Sequence, residues 1–187
     1  PVGTWRDDIV ALARDIDDPL LGGAVQHAVE EAGEGLYHST FGPGGPAPPR
    51  EVSYLQAIQL GYLLSELTAF YDAFSYQPIT KEPCDHVSVE AGFIGYLLFK
   101  QAYAVTRGDD EQASVAAEAE ATFRREHLAS FAGPLAATLE ASGVVYLAEA
   151  GRALVDRVGP GPTAATVTPD DARRLPMIQP FEYDDEI

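Results

Sequence analysis

The sequence predicts an all-α fold, and three observations predict it. Apolar residues recur at helical spacing almost throughout, as in Leu55, Ile58, Tyr62, Leu63, Leu67, Phe70 and Phe74. No stretch alternates apolar and polar residues as a half-buried strand does. Capping and stop residues fall at the ends of the periodic runs.

In chain order, Thr4 with Asp7 reads as a capping box for a helix over about 5 to 16, and a second helix runs from about 20 to 38. The Gly/Pro segment at about 42 to 49 ends it. A long helix over about 51 to 75 carries the apolar run above and stops before Pro78. A central apolar helix covers about 86 to 106 and closes at Gly108. Asp109 or Asp110 caps an Ala/Glu-rich helix to about 130, and Pro134 and Gly143 punctuate two shorter helices ending near Val158. From Gly159 the composition shifts to proline and charge. The expected organisation is one helical domain over 1–158 and a Pro-rich acidic tail over 159–187, extended on the surface or disordered.

Composition bounds the function. A chain of 187 residues fits one domain, and at that size roughly 70% of the unfolded surface can be buried, so the core needs neither disulfide nor metal. The formal net charge is −17, from 29 acidic against 12 basic residues, a field that repels phosphate backbones and argues against a nucleic-acid partner. The same charge serves equally as a solvated surface, since it is spread along the chain. Cys84 is the only cysteine, which excludes an intrachain disulfide and suits a reducing compartment. No apolar run reaches the length of a membrane span, and the N-terminal segment lacks the pattern of a signal peptide. The expectation is a cytoplasmic protein without stable membrane insertion.

The densest chemistry is the run Glu82 to Tyr96, EPCDHVSVEAGFIGY. Pro83 keeps its predecessor extended, Asp85 is a good N-cap, and His86 falls in the first helical turn. Helical spacing then puts His86, Glu90, Phe93 and Leu97 on one stripe, a polar mouth above an apolar face, as at the edge of a peptide groove. Asp85 equally serves as a cap alone, worth about 1 kcal/mol. His127, between Phe123 and Phe131 on its own stripe, reads as a core histidine or a contact. Phe70 and Phe74 read as core or as groove lining. Glu51 and Tyr54 either bind a basic residue or start their helix. Cys84 and His86 are two apart at a helix start and point in different directions, with no Gly-rich turn to hold an oxyanion, so a nucleophile and base are not expected. Cys84, His86 and Glu90 lack a second histidine or cysteine at ligand spacing, and Glu-x-x-His repeats are absent, so no metal or other cofactor is expected. The FGPGGP loop lacks the Gly-Lys-Ser/Thr ending of a phosphate cradle.

These residues resemble a family. Glu82-Pro83-x-Asp85-His86 followed by Glu90 and Phe93 is similar to the signature of the TorD/DmsD/NarJ-type chaperones that mature molybdenum redox enzymes. The loop Phe41 to Pro49 leading to Glu51 and Tyr54 resembles that family's proline-rich loop and Tyr-containing helix, and Phe123-x-x-x-His127-Leu128-x-x-Phe131 its second histidine helix. Phe131 stands where Trp is usual, and Ala91 and Ile94 where Leu and Met are. The resemblance implies a TorD-like helical bundle without enzymatic activity. Its client is the precursor of a molybdopterin oxidoreductase catalytic subunit, held by an N-terminal, often twin-arginine, signal peptide until cofactor insertion, then released for assembly or export. It implies peptide contacts at Glu82, Asp85, His86, Glu51, Tyr54, Glu90, Phe93, Phe123, His127 and Phe131, in a monomer or a dimer, and the apolar spacing adds Phe70, Phe74 and Tyr96 as candidate groove lining. The rival reading is a helical adaptor that binds a partner helix.

Overall fold

Helix starts and stops follow local chemistry. The computed structural model describes residues 5–55, 60–159 and 161. Helix α1 (Trp5–Ala13) is shorter than expected, and the Thr4 half of its capping box lies outside the described residues. Asp18 caps α2 (Pro19–Glu31) by accepting from Leu20 N at 2.9 Å and Leu21 N at 3.1 Å, with Pro19 in the first turn where no amide hydrogen is missed. The expected single helix over 20 to 38 is two. Ala32 and Gly33 are extended, and Arg6 from α1 donates to Val29 O at 3.1 Å and Ala32 O at 2.7 Å, satisfying carbonyls at the end of α2. Helix α3 (Glu34–Phe41) follows.

The Gly/Pro loop is tightly folded. Gly42 N donates to His38 O and Ala47 N to Thr40 O at 3.2 Å, and a Cβ on Gly42 or Gly45 would collide with the carbonyls of His38 or Thr40. Only glycine permits that approach. Ala47 is thereby driven into the core. The helix expected from 51 begins instead as a 3-10 turn, Glu51–Ser53, because its backbone is already engaged: Glu51 N donates to Asp85 O and Pro49 O accepts from Val87 N, around an antiparallel bridge of Arg50 with His86. Residues 56–59 lie outside the described set, and α4 (Leu60–Ala73) takes up the apolar run.

Helix α5 (Val87–Arg107) closes at Gly108, which is left-handed at φ 70°, and Asp109 caps α6 (Asp110–Phe123). The expected continuation of α6 to about 130 is interrupted by a π-helical turn, Arg124–Leu128. Helix α7 (Ala129–Ala141) contains Pro134 in its interior, where a boundary was expected; the helix continues past the missing amide hydrogen. Gly143, at φ 73°, makes the turn into α8 (Val145–Val158).

Helix α1 packs on α2, α2 on α8, α8 on α7, and α5 on α6. Two apolar clusters result. One joins Ala47 to Leu128, Phe131, Leu135, Leu139 and Leu147. The other joins Leu63, Leu67 and Tyr71 of α4 to Phe93 and Leu97 of α5 and to Phe123. Ile94 touches both, and the π turn runs from one to the other. Among the described residues no strand is present, and no helix is long and apolar enough to cross a membrane. The tail expected over 159–187 lies, except for Gly159 and Gly161, outside the described residues.

Candidate functional site

Where the two clusters meet, the 49–53 segment pairs with the 83–87 segment, and the charged residues that the sequence singles out converge there. His86, not Asp85, caps α5. Its Nδ1 accepts from Ser88 N at 3.1 Å and faces Ser88 Oγ at 2.8 Å, which leaves the hydrogen on Nε2. Asp85 is released from capping because the bridge with Arg50 turns it inward. It is fully buried, and Oδ1 accepts from Arg50 Nε at 2.8 Å and stands 2.8 Å from Arg50 Nη2 in an ion pair. Cys84 O accepts from Tyr71 OH at 2.8 Å, which pins the same loop to α4. Burial pushes the Cys84 thiol up, so it stays protonated and a poor nucleophile.

Below this loop lies a floor of buried acids. His127 Nδ1 donates to Glu51 Oε2 at 3.2 Å, and Ser130 Oγ, bonded to His127 O at 2.6 Å, lies 3.3 Å from Glu51 Oε1. The π turn aims His127 at Glu51 while Phe123 stays in the second cluster. Glu90 is fully buried, and neither of its oxygens meets a hydrogen-bond donor among the described residues. Desolvation first, then the charges of Glu51 and Asp85, hold its carboxyl well above the usual range. That direction favours the protonated carboxyl, which can donate toward Glu51, the arrangement by which two close carboxylates avoid mutual repulsion.

The mouth is more open. Glu82 Oε2 stands 3.9 Å from His86 Nε2, and burial holds the His86 imidazole below its ordinary value, so it is a neutral donor. Glu82, together with Glu34, Tyr37 and His38 of α3, lines a cavity of about 360 Å³. Burial and the Glu82 charge push the Tyr37 phenol up, a sign of how near the two groups are. The α3 wall is what sequence reasoning missed. A signal existed in the i, i+4 pair Glu34 and His38, but nothing local tied it to residue 82.

The structure thus gathers Glu51, Asp85, His86, Glu90 and His127 in one place, but as a buried set with Glu82 at its rim. Phe93, Phe123 and Phe131 are fully buried. Phe93 and Phe123 stack edge to face at 4.7 Å, and Tyr54 stacks on Phe131 at 5.9 Å while its hydroxyl meets Thr138 Oγ1 at 3.3 Å. Phe70 packs against Phe123 and His127; Phe74 and Tyr96 are half-buried, with Tyr96 OH donating to Phe74 O at 3.1 Å. Among the described residues no group of three or more His, Cys, Asp or Glu side chains is arranged to hold a metal ion. The exposed apolar surface of α5 is elsewhere, at Leu98, Phe99 and Tyr103.

No curated protein and no solved structure matches the chain. The sequence family described as the nitrate reductase delta subunit matches residues 5–137, a span that holds the mouth, the buried floor and the π turn alike, and the chain belongs to that family of redox-enzyme maturation chaperones.

Proposed function

We propose that the chain acts as a chaperone for a molybdopterin-dependent oxidoreductase subunit, binding the N-terminal, often twin-arginine, segment of its precursor in the cytoplasm until cofactor insertion permits assembly or export. Membership of a chaperone family, whose partner is a molybdoenzyme catalytic subunit, supports the reading at the coarser level. The observation that carries the finer one is the mouth: exposed Glu82 beside a neutral, locked His86, above a floor of buried acids that ties three parts of the chain together. A carboxylate held on a rigid floor is suited to select a basic residue. The floor's acids are internally engaged or protonated, and act by fixing the mouth. The mechanism is recognition and release, with no bond made or broken.

A partner helix is the second reading, favoured by the outer face of α5, where Leu98, Phe99 and Tyr103 are 48%, 68% and 57% exposed. Capture of partners from the native cell by the full chain decides between them. A molybdoenzyme catalytic subunit that is retained by wild type and lost with Glu82→Gln supports the chaperone reading. Retention of an unrelated partner that is lost only with Phe99→Ser supports the adaptor.

A further inference from the structure

The cavity between α3 and Glu82 presents two carboxylates and an aromatic ring, groups that suit a guanidinium. Two carboxylates face it from separate elements, Glu34 and Glu82, with side chains 82% and 41% exposed. Their contacts among the described residues are long ones to histidines, 3.7 Å from Glu34 to His38 and 3.9 Å from Glu82 to His86. Tyr37 adds an aromatic ring, braced by Phe41 at 5.4 Å, over which a cation can rest. A second observation, inside the wall, points to a ligand. The His86 side chain is nine-tenths buried, its orientation is locked by Ser88, and Nε2 has no hydrogen-bond partner among the described residues while standing 3.9 Å from Glu82. A cation seated between Glu34 and Glu82 would hold the Glu82 carboxylate so that one oxygen takes the Nε2 hydrogen and the other the guanidinium, satisfying a donor that is otherwise stranded.

The chain carries a matching segment. Arg173-Arg174-Leu175-Pro176-Met177-Ile178 is a basic pair followed by an apolar run, in a protein of net charge −17. The other adjacent pair, Arg124 and Arg125, is already bonded to Glu120 and Glu126. The described chain reaches Gly161, whose backbone lies so close to Ala129 that a Cβ there would strike its carbonyl oxygen. Ala129 belongs to the cluster against which Phe41 packs, and Phe41 braces Tyr37. Arg173 is twelve residues beyond Gly161, a span of at most about 40 Å when extended, and about 20 Å as a flexible coil. A folded domain of this size has a radius of gyration of about 15 Å, so the extended segment is long enough to cross it.

We propose that Arg173 and Arg174 of the chain's own C-terminal segment occupy the Glu34–Glu82 cavity in the client-free protein, standing in for the basic residues of a client. This rests on the reading that the mouth receives basic residues, and adds the α3 wall and an internal competitor. Release of the segment would then accompany client binding, and its return would help expel the client.

The test uses full-length chains and two labelled probe peptides: residues 169–180 of this chain, and an N-terminal-type peptide with an Arg-Arg pair before an apolar run. Replacing both tail arginines, Arg173→Gln with Arg174→Gln, removes the internal occupant while changing the net charge by two. The tail peptide is expected to bind this variant about tenfold more tightly than wild type, and the further exchanges Glu34→Gln and Glu82→Gln should abolish that gain. All four positions lie outside the core or outside the described residues, and circular dichroism confirms that each variant is folded. Equal affinity for wild type and the tail variant, no binding to either, or a gain that survives Glu34→Gln with Glu82→Gln overturns the proposal. The second peptide separates this from the client reading. If it binds wild type and the tail variant equally, self-occupancy fails while client recognition stands; if it binds neither while the tail peptide shows its gain, self-occupancy stands and client recognition fails.

Discussion

Glu90 and His86, one helical turn apart, pull stability in opposite directions with pH. The Glu90 carboxyl is raised above its ordinary 4.5, so its folded state stays protonated where the unfolded chain has ionised. Its contribution is full below that value and is lost as pH rises toward the folded value, at up to about 1.4 kcal/mol per pH unit. His86 is depressed below 6.5, so its neutral folded state contributes fully above 6.5 and loses that contribution as pH falls. Glu90→Gln mimics the protonated carboxyl. Urea unfolding between pH 5 and 8 is expected to decline with pH in wild type, whereas this variant should lack that decline and rise toward pH 6.5 as the histidine contribution is restored. Asp85 and Arg50 present a different case, since the aspartate is fully buried and the arginine one-third exposed. Arg50→Ala strands a buried charge and should lower unfolding stability by about 3 kcal/mol or more. Asp85→Asn reports on this junction rather than on a direct peptide contact.

At the scale of elements, helix ends that rest on a single residue were legible and junctions set by distant contacts were not. Gly108, Asp109 and Gly143 stand where the sequence puts them because left-handed closure and carboxylate capping are local chemistry. The break between α2 and α3 depends on Arg6, more than twenty residues earlier, and the π turn depends on placing Phe123 in one cluster and Leu128 in the other. The cap of α5 moved by one residue for the same reason, since the bridge to Arg50 claims the backbone around Asp85. The stripe of His86, Glu90 and Phe93 was visible in the spacing, but its burial was not, because nothing in one helix tells which neighbour covers it. The loop between α3 and the 3-10 turn makes a sharp prediction. Gly45→Ala sets a Cβ against the Thr40 carbonyl, a backbone atom that cannot step aside, and should lower the melting temperature by several degrees, about 1 to 3 kcal/mol. Gly33→Ala, at a position with open space and extended backbone, should change little by the same measurement.

For the molecule as a whole, the charge of −17 means that folding brings like charges together. Thermal melts from low salt to about 0.5 M sodium chloride should show a rising midpoint, most of it gained once the screening length falls below about 10 Å. A flat profile would mean that the excess is compensated within the fold. The pairing of Arg50 with His86 has a further consequence. It closes a loop of chain from Glu51 to Asp85, and α4 lies entirely inside that loop, held to the rest by Leu63, Leu67, Tyr71 and the aromatic rings around Phe93. Such a helix can lift away while both ends of its excursion stay tied, so amide hydrogens of α4 should exchange with solvent through a partial opening that leaves α7 and α8 protected. An opening of α4 would leave the stitch itself in place and bare the aromatic cluster beneath it.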